Sequence, residues 1–421
     1  MTDPGSPPPA GSALEGAVDG NPVSIVPVPV TDEGFTDWVA LAASLPPRPV
    51  DGPALPESEG WVQIPVAGAD QTLYWAQGSR YEGIMPEISL RHVRSADASG
   101  LLAGAHSAEA AGGLPLGVEP WVAGAWRGIH SAWSLSRYAS TVIWRQWVLD
   151  AGPHGLVEVV ARHNAYLSRH LISVVNGLVA GIAPAPAAGG DLAGDLDWAV
   201  AAAARAREAL AEAAPEGLVG PTTLGPVERD RIVAGFASGP GWDIAAGGDG
   251  ATGRGAARRV GRLWTSDTQC LVEHAAPGLG DDGSVRLGRY VRDDAADMVL
   301  RVVGHRPAGP SDVPVSLLPA EAFSARLHDR TVPLPPDIPE GAVVSRHLDP
   351  QDIYRWWTAD WSWWTLHRDA GPGQGAEGVR VLTVAGFGHY LWDGGDAIGL
   401  RPVDGLALFG VLTDLIGPGR S

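Results

Sequence analysis

The chain has 421 residues, a formal net charge of −18 at pH 7, 45% hydrophobic residues and 17 tryptophans. At roughly 100–200 residues per domain this length points to two domains, each able to bury a core. The negative balance excludes a nucleic-acid surface, which needs a basic stripe to displace counterions from phosphate, and it disfavours anionic membranes.

There is no lysine, so all 30 basic residues are arginine. That rules out a Schiff-base lysine, a phosphate-loop lysine and a pyridoxal-phosphate enzyme. With 56 glycines and 36 prolines it reads as the codon bias of a GC-rich genome. Cys270 is the only cysteine, which excludes an internal disulfide and a cysteine-based zinc site. Its run Gln269-Cys270-Leu271-Val272 reads as strand, with the thiol a small buried hydrophobe. No cofactor and no metal are expected. The N-terminus shows no basic segment leading into an apolar one and no lipidation cysteine, and no run approaches the ~18 apolar residues of a membrane helix. The expected location is the cytoplasm, without membrane insertion.

In chain order, residues 1–22 read as a disordered tail rich in Pro, Gly and Ser. Thr31 to Leu45 reads as a short helix stopped by Pro46-Pro47. Trp61-Val62-Gln63-Ile64, Leu73-Tyr74-Trp75 and the alternating Glu87 to Val93 read as strands. An Ala-rich helix follows over residues 98–111 and stops at Gly112-Gly113. Trp126 to Trp133, Ser140 to Leu149 and Gly155 to His163 are three more strands. Ser168 to Ile182 closes this unit as a helix, with Ile172, Val175, Val179 and Ile182 on one face.

Residues 183–196 form a Pro/Ala/Gly linker, and 197–255 a helical connector followed by a loop over Gly239 to Gly255 that is too glycine-rich to pack. Within the connector, Asp197 to Ala213 and Pro226 to Ala237 are its helices. Residues 256–421 are the second domain. Its expected strands lie at Leu263-Trp264, Cys270 to His274, Ser284 to Val291, Asp297 to Val303 and Val379 to Ala385. Its expected helices are Ala320 to Leu327, Asp349 to Trp361 and Asp404 to Ile416. The fold class is therefore α+β, with two domains over 23–182 and 256–421, each a mainly antiparallel sheet packed by helices. Both end in strands followed by an amphipathic helix, which would fit a distant duplication.

The order over residues 59–182 is strand, Ala-rich helix, glycine break, three strands and a terminal helix. It is carried by Pro86-Glu87-Ile88-Ser89-Leu90, Gly124-Ala125-Trp126-Arg127-Gly128, Trp144-Arg145-Gln146-Trp147 and Leu156 to Ala161. On these residues the segment resembles the PsbP-like fold, in its LpqN and DcrB branches. The resemblance implies a binding module or assembly factor, including chaperones that hold apolar segments of secreted toxins. LpqN-type members are exported lipoproteins, whereas this chain shows neither their signal nor their anchor.

Few motifs point to chemistry. Gly373 to Gly378 matches G-x-G-x-x-G but leads into a strand, so it reads as a hairpin loop and not as a dinucleotide site. His163 and His170 lie seven apart, across a strand end and a helix start, which is poor geometry for one metal. His328-Asp329 and His347-Leu348-Asp349 have no nucleophile motif to serve. In the run Tyr354 to Trp364 a helix would stack Ile353, Trp357, Trp361 and Trp364 on one face, leaving Trp356 and Trp363 on another. The run is then either core throughout or core plus a partner surface. Trp356 and Trp363, with Arg355, Arg368, Tyr390 and Trp392, are the candidate binding residues. His389 and Asp393 are the candidate catalytic pair of a rival reading, a hydrolase-like or carbohydrate-active enzyme; a second version of it uses His367 with Asp369. The favoured expectation is a non-enzymatic protein-binding adaptor or chaperone that serves a secretion or toxin-export system and has a protein partner, such as a secreted substrate.

Overall fold

The computed structural model describes residues 17–18, 21–22, 54–58, 60–64, 71–76, 86–93, 113–123, 126–137, 140–151, 155–183, 200–201, 203–204, 207, 218, 221–236, 241–248, 258–275, 284–308, 315–335, 350–368, 377–393 and 397–417. Met1–Pro47 and Arg48–Ser421 are separate compact units. In the first, Ala17–Val18 pairs with Asn21–Pro22. The expected helices at 31–45 and 98–111 and the linker from 184 lie outside the described residues.

The class is α+β, built on two antiparallel sheets. The first holds β1 (Trp61–Ile64), β2 (Gln71–Ala76), β3 (Glu87–Val93), β4 (Leu114–Ala123), β5 (Trp126–Arg137), β6 (Ser140–Asp150) and β7 (Leu156–Asn164), in the order β1-β2-β3-β7-β6-β5-β4. Helix α1 (Ser168–Ala180) lays Val175, Leu178 and Val179 against Trp126, Trp147 and Val159. Sequence periodicity identified this helix and six of these strands, but not β4, whose Pro115 and Pro120 mask the pattern. Both prolines sit on an edge strand, where a missing N–H costs no ladder bond.

The second sheet has ten strands. They are β8 (Thr222–Leu224), β9 (Gly241–Gly248), β10 (Arg258–Thr265), β11 (Gln269–His274), β12 (Val285–Val291), β13 (Val315–Pro319), β14 (Trp361–Arg368), β15 (Gly378–Val384), β16 (Gly388–Trp392) and β17 (Ala397–Val403). Their order is β8-β12-β11-β10-β9-β14-β15-β16-β17-β13. It reads the same outward from the central β9–β14 pair. On each side three further strands follow in chain order, and the strand that precedes the set closes the edge.

The helices obey the same plan. Those entering the central strands, α2 (Pro226–Phe236) and α5 (Pro350–Thr358), cover one face. Those leaving the fourth strands, α3 (Ala295–Val302) and α6 (Gly405–Ile416), cover the other and touch each other. A further helix, α4 (Ala320–His328), lies beside α5 through Phe323. The repeat of topology thus lies inside this sheet, and not between the two halves of the chain where the sequence placed it.

Three expectations about elements are corrected. Gly241–Gly248 is a central strand and not a mobile loop. Its glycines are what permit it: a Cβ on Gly247 would sit 2.7 Å from the Trp363 ring, so only a bare backbone fits beneath that indole. Ala295–Val302 is a helix and not a strand, with all eight residues buried. A short, mostly apolar run with only Asp297 and Arg301 to mark it gives too little period to distinguish the two. The helix expected through Trp361 ends at Thr358, and Trp361–Arg368 is a strand. Its period-two pleat puts Trp361 and Trp363 in one core and Trp364 in the opposite one.

One apolar cluster joins the sheets. It contains Leu114, Leu116, Ala132 and Ile143 of the first together with Leu263, Val272, Met298, Leu408 and Phe409 of the second half. Polar bonds cross the same junction. Ser134 Oγ donates to Asp297 Oδ1 at 2.6 Å and Thr141 Oγ1 to Asp294 Oδ1 at 2.5 Å. Asp297 in turn receives Arg301 Nε at 2.6 Å. At Gly405 the start of α6 approaches β4 so closely that a Cβ would lie 1.7 Å from the Leu116 carbonyl oxygen.

Candidate functional site

The Trp-rich run supplies core, not surface. Trp356 is 1% exposed and Trp363 8% exposed, alongside the equally buried Trp357 and Trp361. Their exposure was expected from a single long helix. Once the chain turns at Ala359 into β14, the indoles of α5 and β14 face each other. Trp356 Nε1 donates to Tyr390 Oη at 3.0 Å, Trp357 Nε1 to the Val332 carbonyl at 2.8 Å and Trp361 Nε1 to the Trp356 carbonyl at 3.1 Å. Tyr390 is therefore core as well. Arg326 lies 4.4 Å above the Trp361 ring and donates to the Trp357 carbonyl at 2.8 Å, which ties α4 to this cluster. Arg355 stays at the surface, 3.2 Å from Asp352. Arg368 pairs with Glu377 at 2.7 Å.

His389 and Asp393 do not form a working pair. The pleat of β16 turns His389 inward, where Nδ1 accepts from Thr383 Oγ1 at 2.8 Å and Nε2 faces the Arg306 carbonyl at 3.2 Å. Both ring nitrogens are occupied. Burial, with a smaller push from His305, lowers its pKa to about 3. His305 stacks on it with centroids 4.8 Å apart, and burial lowers that imidazole to about 4 although its Nε2 faces the Leu116 carbonyl at 3.2 Å. Two neutral rings thus close the junction of β4, β16 and the turn after α3. His163 is likewise buried and lowered to about 4, with Nδ1 3.0 Å from the Asn164 carbonyl. The side chain of Asp329 bonds Thr331 at 2.8 and 2.7 Å. Asp369, His347 and Asp349 lie outside the described residues. Among the described residues no three His, Cys, Asp or Glu side chains gather as a metal would require. No described helix is long and apolar enough to cross a membrane.

Register brings together a polar chain that the sequence did not announce. Glu119 of β4 pairs opposite His130 of β5, and Arg145 of β6 lies one strand further on. Glu119 Oε1 is 2.7 Å from His130 Nδ1, and Arg145 Nε donates to His130 Nε2 at 3.2 Å. Arg145 also bonds Asn176 of α1 and lies 4.4 Å from the Trp147 ring. Burial and the neighbouring guanidinium depress His130, so it is neutral with its proton on Nδ1. Burial works to raise Glu119, yet the His130 bond and the charges of Arg145 and Arg207 hold it below its usual value. Burial brings Arg145 down to about 10. Carboxylate and guanidinium compensate each other across a neutral ring. The arrangement ties three strands and a helix together.

One open feature among the described residues is a cleft of about 710 Å³ at the outer end of β15, β16 and β17, walled by the last turns of α6. Its apolar lining is Val379, Leu391, Val411 and Leu415. Trp392 lies at the rim, half-buried against Phe323 and Trp363 at 5.7 and 6.3 Å, and Asp393 follows it. Arg380 and Arg401 complete the rim with His367, Glu377 and Asp414. Asp404 caps α6, accepting from the Ala407 amide at 2.7 Å, and so fixes where the wall begins. Of the candidate residues, His367, Trp392 and Asp393 line this cleft; Arg380 and Arg401 did not stand out in the sequence. They sit in strands with ordinary alternation, and only the third dimension places them around one hollow.

No family model matches the chain, and no curated protein matches it. Among solved structures, part of the chain is similar to LpqN of Mycobacterium tuberculosis, a protein involved in cell envelope biogenesis, at 16% identity over 30% of this chain and 79% of LpqN, with a TM-score of 0.24.

Proposed function

We propose that the protein is a non-enzymatic protein-binding adaptor or chaperone that acts in the cytoplasm and serves the export of a secreted partner. The observation that carries this reading is the contrast between its titratable groups and its cleft. The histidines most shifted by burial, His163, His305 and His389, face backbone carbonyls or, for His389, also a hydroxyl. A general base needs a lone pair aimed at a reactant, and these rings offer none to solvent. The cleft instead combines aliphatic lining with charged rim residues, which is the chemistry of recognition. We read residues 59–182 as a PsbP-like module, supported by the succession of strands that closes in α1.

The test is cross-linking in the native host followed by reconstitution with the purified candidate. The reading expects a defined exported protein that binds the wild-type chain directly. A hydrolase substrate screen showing turnover that His389→Ala abolishes would sink it in favour of the enzyme.

A further inference from the structure

We infer that the face of the ten-stranded sheet that packs under α5 carries a phosphate site built by Thr365, His367 and Arg380. The site stands independently of the adaptor reading. Strand register assembles it: Thr365 of β14 pairs opposite Arg380 of β15, and His367 lies two residues further along β14, opposite Gly378. Direct and diagonal cross-strand neighbours lie within reach of one another's long side chains. By the period-two pleat, Thr365 and His367 share the face of Trp363, and Arg380 shares that of Leu382, both in the core under α5.

This end of the sheet therefore has two faces of different charge. Arg401, in step with Val403, and Asp414 of α6 belong to the α6 side. So does Glu377, held at 2.7 Å by Arg368, which lies over Trp242. Asp393 is in step with Leu391 on that same side, its amide extending the ladder to the Gly399 carbonyl at 3.2 Å. On the α5 side the carboxylate beside His367 is Asp243, directly opposite on β9, and Arg262 Nε neutralises it at 3.0 Å. Glu273, opposite Arg262, is likewise taken by Arg229 at 2.6 Å.

What remains on this face is a set of donors without acceptors. Thr365, His367 and Arg380 have no hydrogen bond or ion pair among the described residues. His367 and Arg380 are half-buried and Thr365 is 7% exposed. Gly378 makes room for the imidazole, since a Cβ there would lie 2.8 Å from His367 Nδ1. Burial and the nearby Arg380 charge hold His367 below its usual pKa, against the pull of Asp243. A guanidinium, a hydroxyl and an imidazole N–H at adjacent positions match the several oxygens of one phosphoryl group, and Arg380 supplies the compensating charge. A carboxylate has only two oxygens to divide among them.

The experiment follows the histidine ring resonances of the full chain by NMR, with His367 assigned through His367→Gln, as inorganic phosphate is added at constant ionic strength. An anion bound beside the ring favours the imidazolium, so phosphate should move the His367 titration to higher pH. Phosphate should correspondingly bind more tightly as pH falls through that titration. Arg380→Gln should weaken phosphate about tenfold or more, and Thr365→Val by a smaller factor. Arg401→Gln, on the opposite face, should leave the affinity unchanged. Thermal melts accompany each variant, and the wild-type titration decides the case if a variant fails to fold. An unmoved His367, an equal effect of chloride or acetate, or unchanged affinity in Arg380→Gln each overturns the site.

Discussion

Trp356 and Trp363 carry the clearest residue-scale consequence. Both are enclosed by Trp357, Trp361, Tyr390 and Leu382, so truncation leaves a cavity instead of a lost contact surface. Trp356→Ala and Trp363→Ala should each cost roughly 3–5 kcal/mol, as much as Trp357→Ala and Trp361→Ala. Urea unfolding of the four variants measures this; a loss under about 1 kcal/mol at Trp356 or Trp363 would return that indole to the surface. The stacked His305 and His389 give a pH prediction. In the fold they titrate at about 4 and about 3, whereas the unfolded chain takes these protons near ~6.5. Their neutral forms therefore contribute stability in full above that pH, and it is lost as pH falls toward the folded values, at about 1.4 kcal/mol per pH unit for each ring. His305→Gln should flatten the stability profile between about pH 6.5 and 4.5 relative to wild type. Parallel profiles would mean that His305 is already protonated in the fold.

At the scale of elements, β9 shows how composition can mislead. Ala245, Ala246, Gly247 and Gly248 have no strand propensity to speak of, yet they pair with Arg258 and Arg259 on one side and Ser362 to Thr365 on the other. The strand exists because its neighbours bracket it and because the bulky Trp363 needs a bare backbone opposite. Gly247→Ala drives a methyl group to within 2.7–3.0 Å of three atoms of that indole, and should destabilise by about 1–3 kcal/mol. Gly235 in α2 is the contrasting case, with nothing within 4 Å of an added Cβ. Gly235→Ala should stabilise by about 0.5–1 kcal/mol through helix propensity and a stiffer unfolded chain. Melting curves of the pair check both signs. Two shifts of the same sign would show that glycine content, and not the Trp363 contact, governs β9.

For the whole molecule, the decisive fact is the shared core between the sheets. Leu116 and Ile143 have no buried setting without α3 and α6, and Asp297 loses Ser134 if the halves part. Separation would expose apolar surface at about 25 cal/mol per Å² and leave buried polar groups unpaired. A protease site engineered into residues 184–190 tests this. After cutting, the two fragments should co-elute on size exclusion and separate only when denatured. Separate elution of two folded fragments would show that each half closes its own core.

The sequence by itself determined the elements that carry a clean period. The alternation of Glu87 to Val93 and the apolar stripe of Ser168 to Ile182 are local signals, and the α+β class follows from them. Composition alone excluded lysine chemistry and disulfides. Tertiary structure decided the rest, because the signals there are not local. Whether Ala295–Val302 coils or extends depends on what surrounds it on every side. Whether Trp363 is surface or core depends on where the chain leaves its helix after Thr358. The nearness of Glu119 to His130 is set by strand register. Trp392 and Asp393 stood out in the sequence, aromatic and acidic beside glycines, and both line the cleft. Arg380 and Arg401 did not stand out, because their strands lie on either side of a third and only the folded sheet brings both residues to one hollow.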